Sequence, residues 1–494
     1  MNTEPSSSSK PRPSLLRNWL SLFGLIIVAG GLFSFTLLAL VDSVSRSANP
    51  YIGILTYVVA PAFLLMGLAV TVVGAWRERR KLGQSAGLLP AIVVDLTRPR
   101  DRRILGYFVA CGLFFLLLSA IGSYHTYNLT ESVSFCGRAC HTVMKPELTA
   151  YEHGPHARVS CVECHIGKGA TWFVRSKLSG TYQLYATAFD KYPRPIPTPI
   201  QNLRPAQETC EQCHWPSKFV GNLQRTYNFF QGDATNSPYT LSLLIKVGGG
   251  DPTHGPTGGI HWHMNVGNKV EYVATDKGRQ DIPWVRITDQ QGVVTVYHTK
   301  TYTNTPAASD VRLMDCMDCH NRPAHKFMSP DDAVDLAMSL PHAIDPQLPW
   351  IKTNAVDVLT QPYTNTTQAV EFIATALSNR YPQQRNDEKF KETITAVQQI
   401  YRDNFFPEMK ADWRAYPDNI GHKDWPGCFR CHDGNHFTDD GKRTIKANDC
   451  NACHVILAQG TGPDLLKMTP AGQEFKHPGG DYDHTCNECH NGAL

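Results

Sequence analysis

Cys161-Val-Glu-Cys164-His165, Cys210-Glu-Gln-Cys213-His214 and Cys316-Met-Asp-Cys319-His320 repeat one pattern: two cysteines with two residues between them and a histidine directly after. Cys428-Phe-Arg-Cys431-His432, Cys450-Asn-Ala-Cys453-His454 and Cys486-Asn-Glu-Cys489-His490 repeat it again. Chance at this composition gives such a pentapeptide about 0.02 times per chain, so six copies are a built feature. The chemistry the pattern serves is covalent attachment of haem c: two thioethers hold the macrocycle and the histidine becomes the proximal iron ligand. A zinc site folds two cysteine pairs onto one ion and needs no histidine behind each. A disulfide framework needs no histidine at all.

A seventh stretch, "FCGRACHTVM", varies the pattern. Three residues separate Cys136 from Cys140, His141 follows, and Met144 stands three residues further on. Cysteines at i and i+4 share a helix face as well as cysteines at i and i+3 do, so two thioethers remain feasible. His141 and Met144 also share a face and compete for one coordination position. Methionine is the softer donor and raises the potential relative to two histidines. An ordinary proximal His141, with Met144 as packing, is the alternative reading. Seven sites use 14 of the 15 cysteines and leave Cys111, read as an apolar filler. Thirteen of the 20 histidines lie outside the motifs, a surplus that supplies second axial ligands to about seven haems.

The elements that must position these sites begin with three apolar runs, about 18–41, 51–76 and 104–122, each near the roughly 20 residues that cross a bilayer. Trp19, Tyr51, Trp76 and Tyr124 mark their ends. Lys10, Arg12 and Arg17 precede the first run, and eight Lys/Arg lie in 77–103, whereas Arg46 alone lies between runs one and two. The positive-inside rule then puts residues 1–17 and loop 77–103 in the cytoplasm and all seven motifs in the periplasm, where bacteria attach haem. The first run is too long for a removed signal peptide and is read as an anchor. Residues 1–103 hold 12 Lys/Arg against 5 Asp/Glu, and the remainder 35 against 39. The acidic outer part suits a basic redox partner and excludes nucleic acid.

The expected fold class is a membrane-anchored multihaem cytochrome c, with three transmembrane helices and a largely helical, haem-packed periplasmic domain carrying a small β-rich insert. The divisions are 1–17 (tail), 18–125 (membrane part), 126–328 (four haems, with a β-rich insert at about 215–310), 329–427 (helical connector) and 428–494 (three haems). "KVEYVATD", "IPWVRITD" and "VVTVYHTK" read as strands, with a hairpin turn at 289–292. Ser329-Pro330-Asp331-Asp332 opens a helix. Val370, Ile373, Ala374 and Leu377 mark a second, and Phe390, Ile394, Val397 and Tyr401 a third.

"FCGRACHTVM", His156, "CVECH", Lys177, "CEQCH" and "CMDCHNRPAH" resemble the NapC/NirT (NrfH-like) membrane-anchored quinol dehydrogenase cytochromes, over about a quarter of the chain. The whole layout resembles the ImcH-type inner-membrane heptahaem cytochromes. The resemblance implies oxidation of membrane quinol (menaquinol) at the first haem, and transfer of its electrons to a periplasmic c-type cytochrome in anaerobic respiration. It makes Met144 the ligand of the first iron, assigns His156 to the fourth haem and His325 to the third, and offers His422, His436, His477 and His484 as the pool for the last three. For the second haem His254, His261, His263, His298 and His342 are internal candidates. Lys177 matches a lysine of the quinol pocket. Leu184 stands where the family has an acid, which makes Asp190 the nearest carboxylate, and His125, after the third run, is a further proton-accepting candidate. A terminal nitrite or hydroxylamine reductase would carry a lysine in place of a motif histidine, and none of the seven has one. A passive electron conduit is the remaining rival.

The haem count is directly measurable. Intact mass should exceed the 55.0 kDa polypeptide by seven haems, with pyridine haemochrome giving the same stoichiometry. Six would mean that the Cys136–Cys140 spacing takes no haem.

Overall fold

A computed structural model describes residues 18–44, 56, 59–81, 96–139, 141–167, 170–200, 203–249, 258–264, 267–446, 450–478, 480 and 486–490. Its contacts fall into two units, 1–139 and 140–494.

In the first unit, α1 (Trp19–Val44) packs along α2 (Ala60–Lys81). Small residues let the two backbones meet: a Cβ on Gly67 would stand 2.8 Å from the Val28 amide nitrogen. Ser21 donates to the Thr71 carbonyl at 3.1 Å and Asn18 to the Gly74 carbonyl at 3.2 Å, so the few polar groups of the seam are satisfied internally, as lipid requires. The outer faces are apolar and exposed, with Ile26, Phe33 and Leu65 among them. Among the described residues two helices, Trp19–Leu40 and Ala60–Lys81, are long and apolar enough to cross a membrane. The third expected run, 104–122, is helical throughout, inside α3 (Pro99–Thr130), which opens on a proline, but it is not one of these two, so two of the three expected spans are found among the described residues. The second helix keeps going past the expected end at Trp76 to carry Arg77, Arg79, Arg80 and Lys81. Residues 1–17, 51–55 and 82–95 lie outside the described residues.

The second unit starts with α4 (His141–Glu152) and continues through α5 (Ala170–Ala188). Its apolar core is built by α6 (Pro330–Met338), α7 (Ile351–Thr360), α8 (Thr366–Arg380) and α9 (Glu388–Asn404), with Val143 and Ala150 of α4 joined to it. Ser329, Asn365 and Asp387 cap α6, α8 and α9 as acceptors for backbone amides. The apolar positions read from the sequence face inward: Ile373, Leu377 and Val397 are wholly buried, and Phe390 and Tyr401 nearly so. The connector therefore holds a true side-chain core, which fixes the platform on which the motif-bearing loops rest.

Two sheets complete the unit. β3 (Lys269–Val273), β4 (Trp284–Thr288) and β5 (Val294–His298) are the three strands the sequence marks, and β6 (Arg312–Leu313) joins their edge in the order β5-β4-β3-β6. The turn between β4 and β5 is set by Asp289, whose carboxylate accepts the amides of Gln291 and Val293, and by Gly292 at φ 78°. The other sheet pairs β1 (Leu223–Phe230) and β2 (Pro238–Ile245) of the insert with β7 (His454–Gly460), which begins at the histidine of the sixth motif. Insert and C-terminal segment thus share one sheet.

Candidate haem sites

Each described motif folds as a single helical turn: Cys161–His165, Cys316–Cys319, Cys450–Cys453 and Cys486–Cys489 as α-helix, Cys210–Gln212 and Gly427–Arg430 as 3₁₀ turns. One turn brings the two cysteines to one side. The fourth motif is the most firmly held. Asp315 and Asp318 form a reciprocal capping box across it. Asp318, 2% exposed, also accepts from Tyr272 Oη at 2.7 Å, Arg279 Nη1 at 2.9 Å and Arg312 Nε at 3.0 Å. Burial first, and then this carboxylate, raise the Tyr272 hydroxyl pKa. The motif is in this way tied to β3 and β6.

Two imidazoles bound to opposite faces of one iron hold their ring centres about 6 Å apart, from about 2 Å of metal–nitrogen bond and about 1 Å from nitrogen to ring centre on each side. Six motif histidines face a second histidine at this spacing: His165–His325 at 6.2 Å, His214–His156 at 6.0 Å, His320–His261 at 6.3 Å, His432–His263 at 6.0 Å, His454–His422 at 6.3 Å and His490–His477 at 6.3 Å. Six of these twelve rings rest Nδ1 against a backbone carbonyl, a contact that favours the Nδ1–H tautomer, whereas the buried His454 Nδ1 has no partner. His325 Nδ1 lies 3.0 Å from the Glu147 carbonyl, His156 Nδ1 2.9 Å from Pro323 O, His261 Nδ1 3.0 Å from Val247 O and His263 Nδ1 2.8 Å from Ile260 O. His490 Nδ1 meets Lys423 O at 2.6 Å and His477 Nδ1 meets Pro478 O at 2.7 Å. A proton donated from Nδ1 leaves the Nε2 lone pair free for a metal. Burial, then the facing His454 ring, brings the His422 pKa down to about 4; burial, then His263, does the same for His432. Burial lowers His165, His261, His320, His325 and His454 as well. Imidazoles in facing pairs, each beside a Cys-x-x-Cys turn, fit haem iron.

These pairs differ from the assignments the resemblance implies. His156 faces the third motif's histidine, not the fourth's, and His325 faces the second's, not the third's. The reason is local anchoring: Glu147 of α4 holds His325, and Arg322 braces the same corner, bonding Glu147 at 3.3 Å and the His325 carbonyl at 2.7 Å while lying over the Tyr416 ring. The fourth motif instead meets His261, from the insert. His436 leaves the C-terminal pool. Its Nδ1 meets Asp433 at 2.8 Å and its Nε2 the Ile282 carbonyl at 2.7 Å, so both nitrogens are spent. Burial acts to lower its pKa, but these bonds outweigh burial and raise it. His298 is held by the Thr299 carbonyl and Asp439, and His342 faces Glu392. His254, His484 and Cys140 lie outside the described residues, as do the side chains of His141, Lys177 and Cys486.

For the first motif, Cys136 belongs to the first unit, while His141 and Met144 share α4. Lys177 lies on α5. Asp190, just past that helix, is exposed and paired with Arg194 at 2.5 Å, whose hydrogen bond lowers its pKa. His125 is exposed on α3, beside the Tyr124 ring.

Neighbouring motifs interlock. The Cys210 and Cys316 side chains lie against each other, which brings the third motif beside the fourth. Arg430 of the fifth donates to the Asp318 carbonyl of the fourth at 2.7 Å. His422, which faces the sixth motif, stacks on Phe429 of the fifth at 4.4 Å, and the residue after it, Lys423, receives His490 of the seventh. Sequence reasoning missed the Asp318 hub, though an acid inside the fourth motif three residues after Asp315 was a visible capping-box signal.

Cys-x-x-Cys-His turns, facing histidine pairs and apolar helices together define a membrane-anchored c-type cytochrome, a protein of electron transport. Residues 98–195 match the NapC/NirT cytochrome c family, N-terminal region. The chain is 40% identical to the cytochrome c-type protein ImcH of Geobacter sulfurreducens over 500 residues, 97% of this chain and 96% of that one. It is 30% identical to the cytochrome c-type protein NrfH of Wolinella succinogenes over 128 residues, 25% of this chain and 70% of that one. No solved structure matches. The chain belongs to the NapC/NirT family of membrane-anchored c-type cytochromes, within which it pairs with ImcH over nearly its full length.

Asp318→Ala should be severe. It leaves two guanidinium groups and a tyrosine hydroxyl without their buried partner, a loss of about 3–5 kcal/mol. Thermal unfolding followed by circular dichroism should show the drop, and Asp318→Asn, which keeps an acceptor, should lose less.

Proposed function

We propose that the chain oxidises membrane quinol, menaquinol by family resemblance, at its first haem and passes the electrons through six further haems to a periplasmic c-type cytochrome. The observation that carries this reading is a contrast. Six motif histidines face a second histidine, whereas the first motif has the longer cysteine spacing and Met144 and follows the membrane helices directly in sequence. Quinol gives up two electrons and two protons; haem, when bound, takes electrons one at a time.

Met144, one helical turn from His141 on α4, would supply the soft donor that holds the first haem. The same helix ends its next turn at Glu147, whose carbonyl fixes His325, so one rigid element serves the first and second sites. Lys177 is the quinol-pocket lysine in this reading, and His125 is the group that receives a proton from quinol. Asp190 is the weaker acceptor, because Arg194 holds it as a carboxylate. The run at 104–122 in α3 is the third membrane span, and the basic flanks put the haem-bearing unit on the periplasmic side. The acidic excess beyond residue 103 favours a basic electron acceptor.

Met144→Ala tests the reading. Reduction by menaquinol analogue in detergent should slow by about tenfold or more, the scale on which metal sites respond to lost support, while dithionite still reduces the remaining haems. Quinol oxidation at the wild-type rate would return the first haem to ordinary histidine ligation and remove the basis for a quinol site there.

A further inference from the structure

The insert holds a histidine pair that no assignment of the family block requires: His261 and His263, two residues apart on the 3₁₀ turn Ile260–Met264. Their rings do not converge on one partner. His261 faces His320 of the fourth motif at 6.3 Å with the ring planes 4° apart, and His263 faces His432 of the fifth at 6.0 Å with the planes at 83°. These are the most parallel and the most nearly perpendicular of the six pairs described above.

The turn is fixed from several sides. The Ile260 amide donates to the Lys246 carbonyl at 2.9 Å, His261 Nδ1 reaches Val247 O, and Asn268 Nδ2 holds the Trp262 carbonyl at 3.0 Å. It crosses the end of β2 so closely that a Cβ on Gly249, at φ 89°, would lie 2.1 Å from the His261 carbonyl carbon. Trp262, between the two histidines, packs with Met314 and Cys431 against the Val270, Tyr272, Ile282 and Val285 cluster of the four-stranded sheet. Met314 precedes the fourth motif and Cys431 belongs to the fifth, so the tryptophan shares one apolar cluster with both motifs. The two motifs are clasped independently: Arg430, 9% exposed, donates to the carbonyls of Asp318, Arg279 and Gly427, and Asn419 donates to Asp318 O at 3.0 Å.

We propose that the His261-Trp262-His263 turn is a two-iron bridge, with His261 the distal ligand of the fourth haem and His263 the distal ligand of the fifth, and that it is the junction through which the four-haem block hands electrons to the three C-terminal haems. Cα atoms two residues apart are at most about 7 Å from each other, so ligands on this turn hold the two sites as one rigid pair. The proposal rests on haem occupancy of these motifs and is independent of whether quinol is the donor.

The experiment uses full-length holoprotein, oxidised or chemically poised, with no quinol present. His263→Gly should convert one ferric haem of the seven from low-spin to high-spin in the electron paramagnetic resonance spectrum. The low-field feature characteristic of near-perpendicular imidazoles should weaken, and free imidazole should restore it. His261→Gly should likewise give one high-spin haem, with loss from the rhombic signal of near-parallel imidazoles, and the double variant should give two. A fully low-spin spectrum in either single variant overturns the assignment for that iron, whatever the quinol activity. Should a glycine variant fail to take up haem, His263→Met keeps a donor in place. Seven haems with one midpoint potential raised then support the bridge, and unchanged midpoints overturn it.

Discussion

A haem c iron is attached locally on one side and must be completed from elsewhere on the other. The cysteines and proximal histidine of a motif lie within five residues, but a flat macrocycle blocks that segment from reaching the opposite face. A haem ligated by two histidines therefore imposes one long-range constraint: a second imidazole brought from another part of the chain, with its ring aimed and in the correct tautomer. The six facing histidine pairs have the spacing that this constraint requires, and they stand beside a helical core that packs through its own side chains. The insert presents His261 and His263; α4 orients His325 through Glu147; the loop after Trp413 brings His422 against the sixth motif.

The polar contacts around these rings are as telling as the rings. Backbone carbonyls, not charged side chains, receive Nδ1 of His156, His261, His263, His477 and His490. His325 adds a carboxylate, Glu147, at 3.2 Å. A carbonyl fixes ring orientation and tautomer without adding charge, whereas a carboxylate strengthens the ligand's basicity. Among these six rings, His325 is the one with a carboxylate beside its Nδ1, supplied by α4.

Much of this could be read from the sequence, for identifiable reasons. Covalent attachment demands short fixed spacing, so all seven motifs stand out as strings. The caps at Ser329 and the inward faces at Ile373, Leu377, Phe390 and Val397 follow from helical periodicity, and the β4–β5 hairpin from its Asp289–Gly292 turn. Pairing was not legible in the same way. Whether His156 meets His214 or His320 depends on which carbonyl catches its other nitrogen, and Pro323 O is contributed by a distant segment. His436 looked like an available ligand until both its nitrogens were found bonded to Asp433 and Ile282. β7 escaped notice because its first residue is the motif histidine His454, and its partner β2 lies in another region of the chain.

The central claim is a ligand census: six irons held between two histidines and one, the first, ligated by methionine. Near-infrared magnetic circular dichroism of the fully oxidised protein reads that census, because the ligand-to-metal charge-transfer band of a ferric haem moves with its axial donors. The account predicts bis-histidine intensity equivalent to six haems, with the seventh carrying the signature of methionine ligation or of a five-coordinate iron. Bis-histidine intensity equivalent to all seven, or to five or fewer, would contradict it.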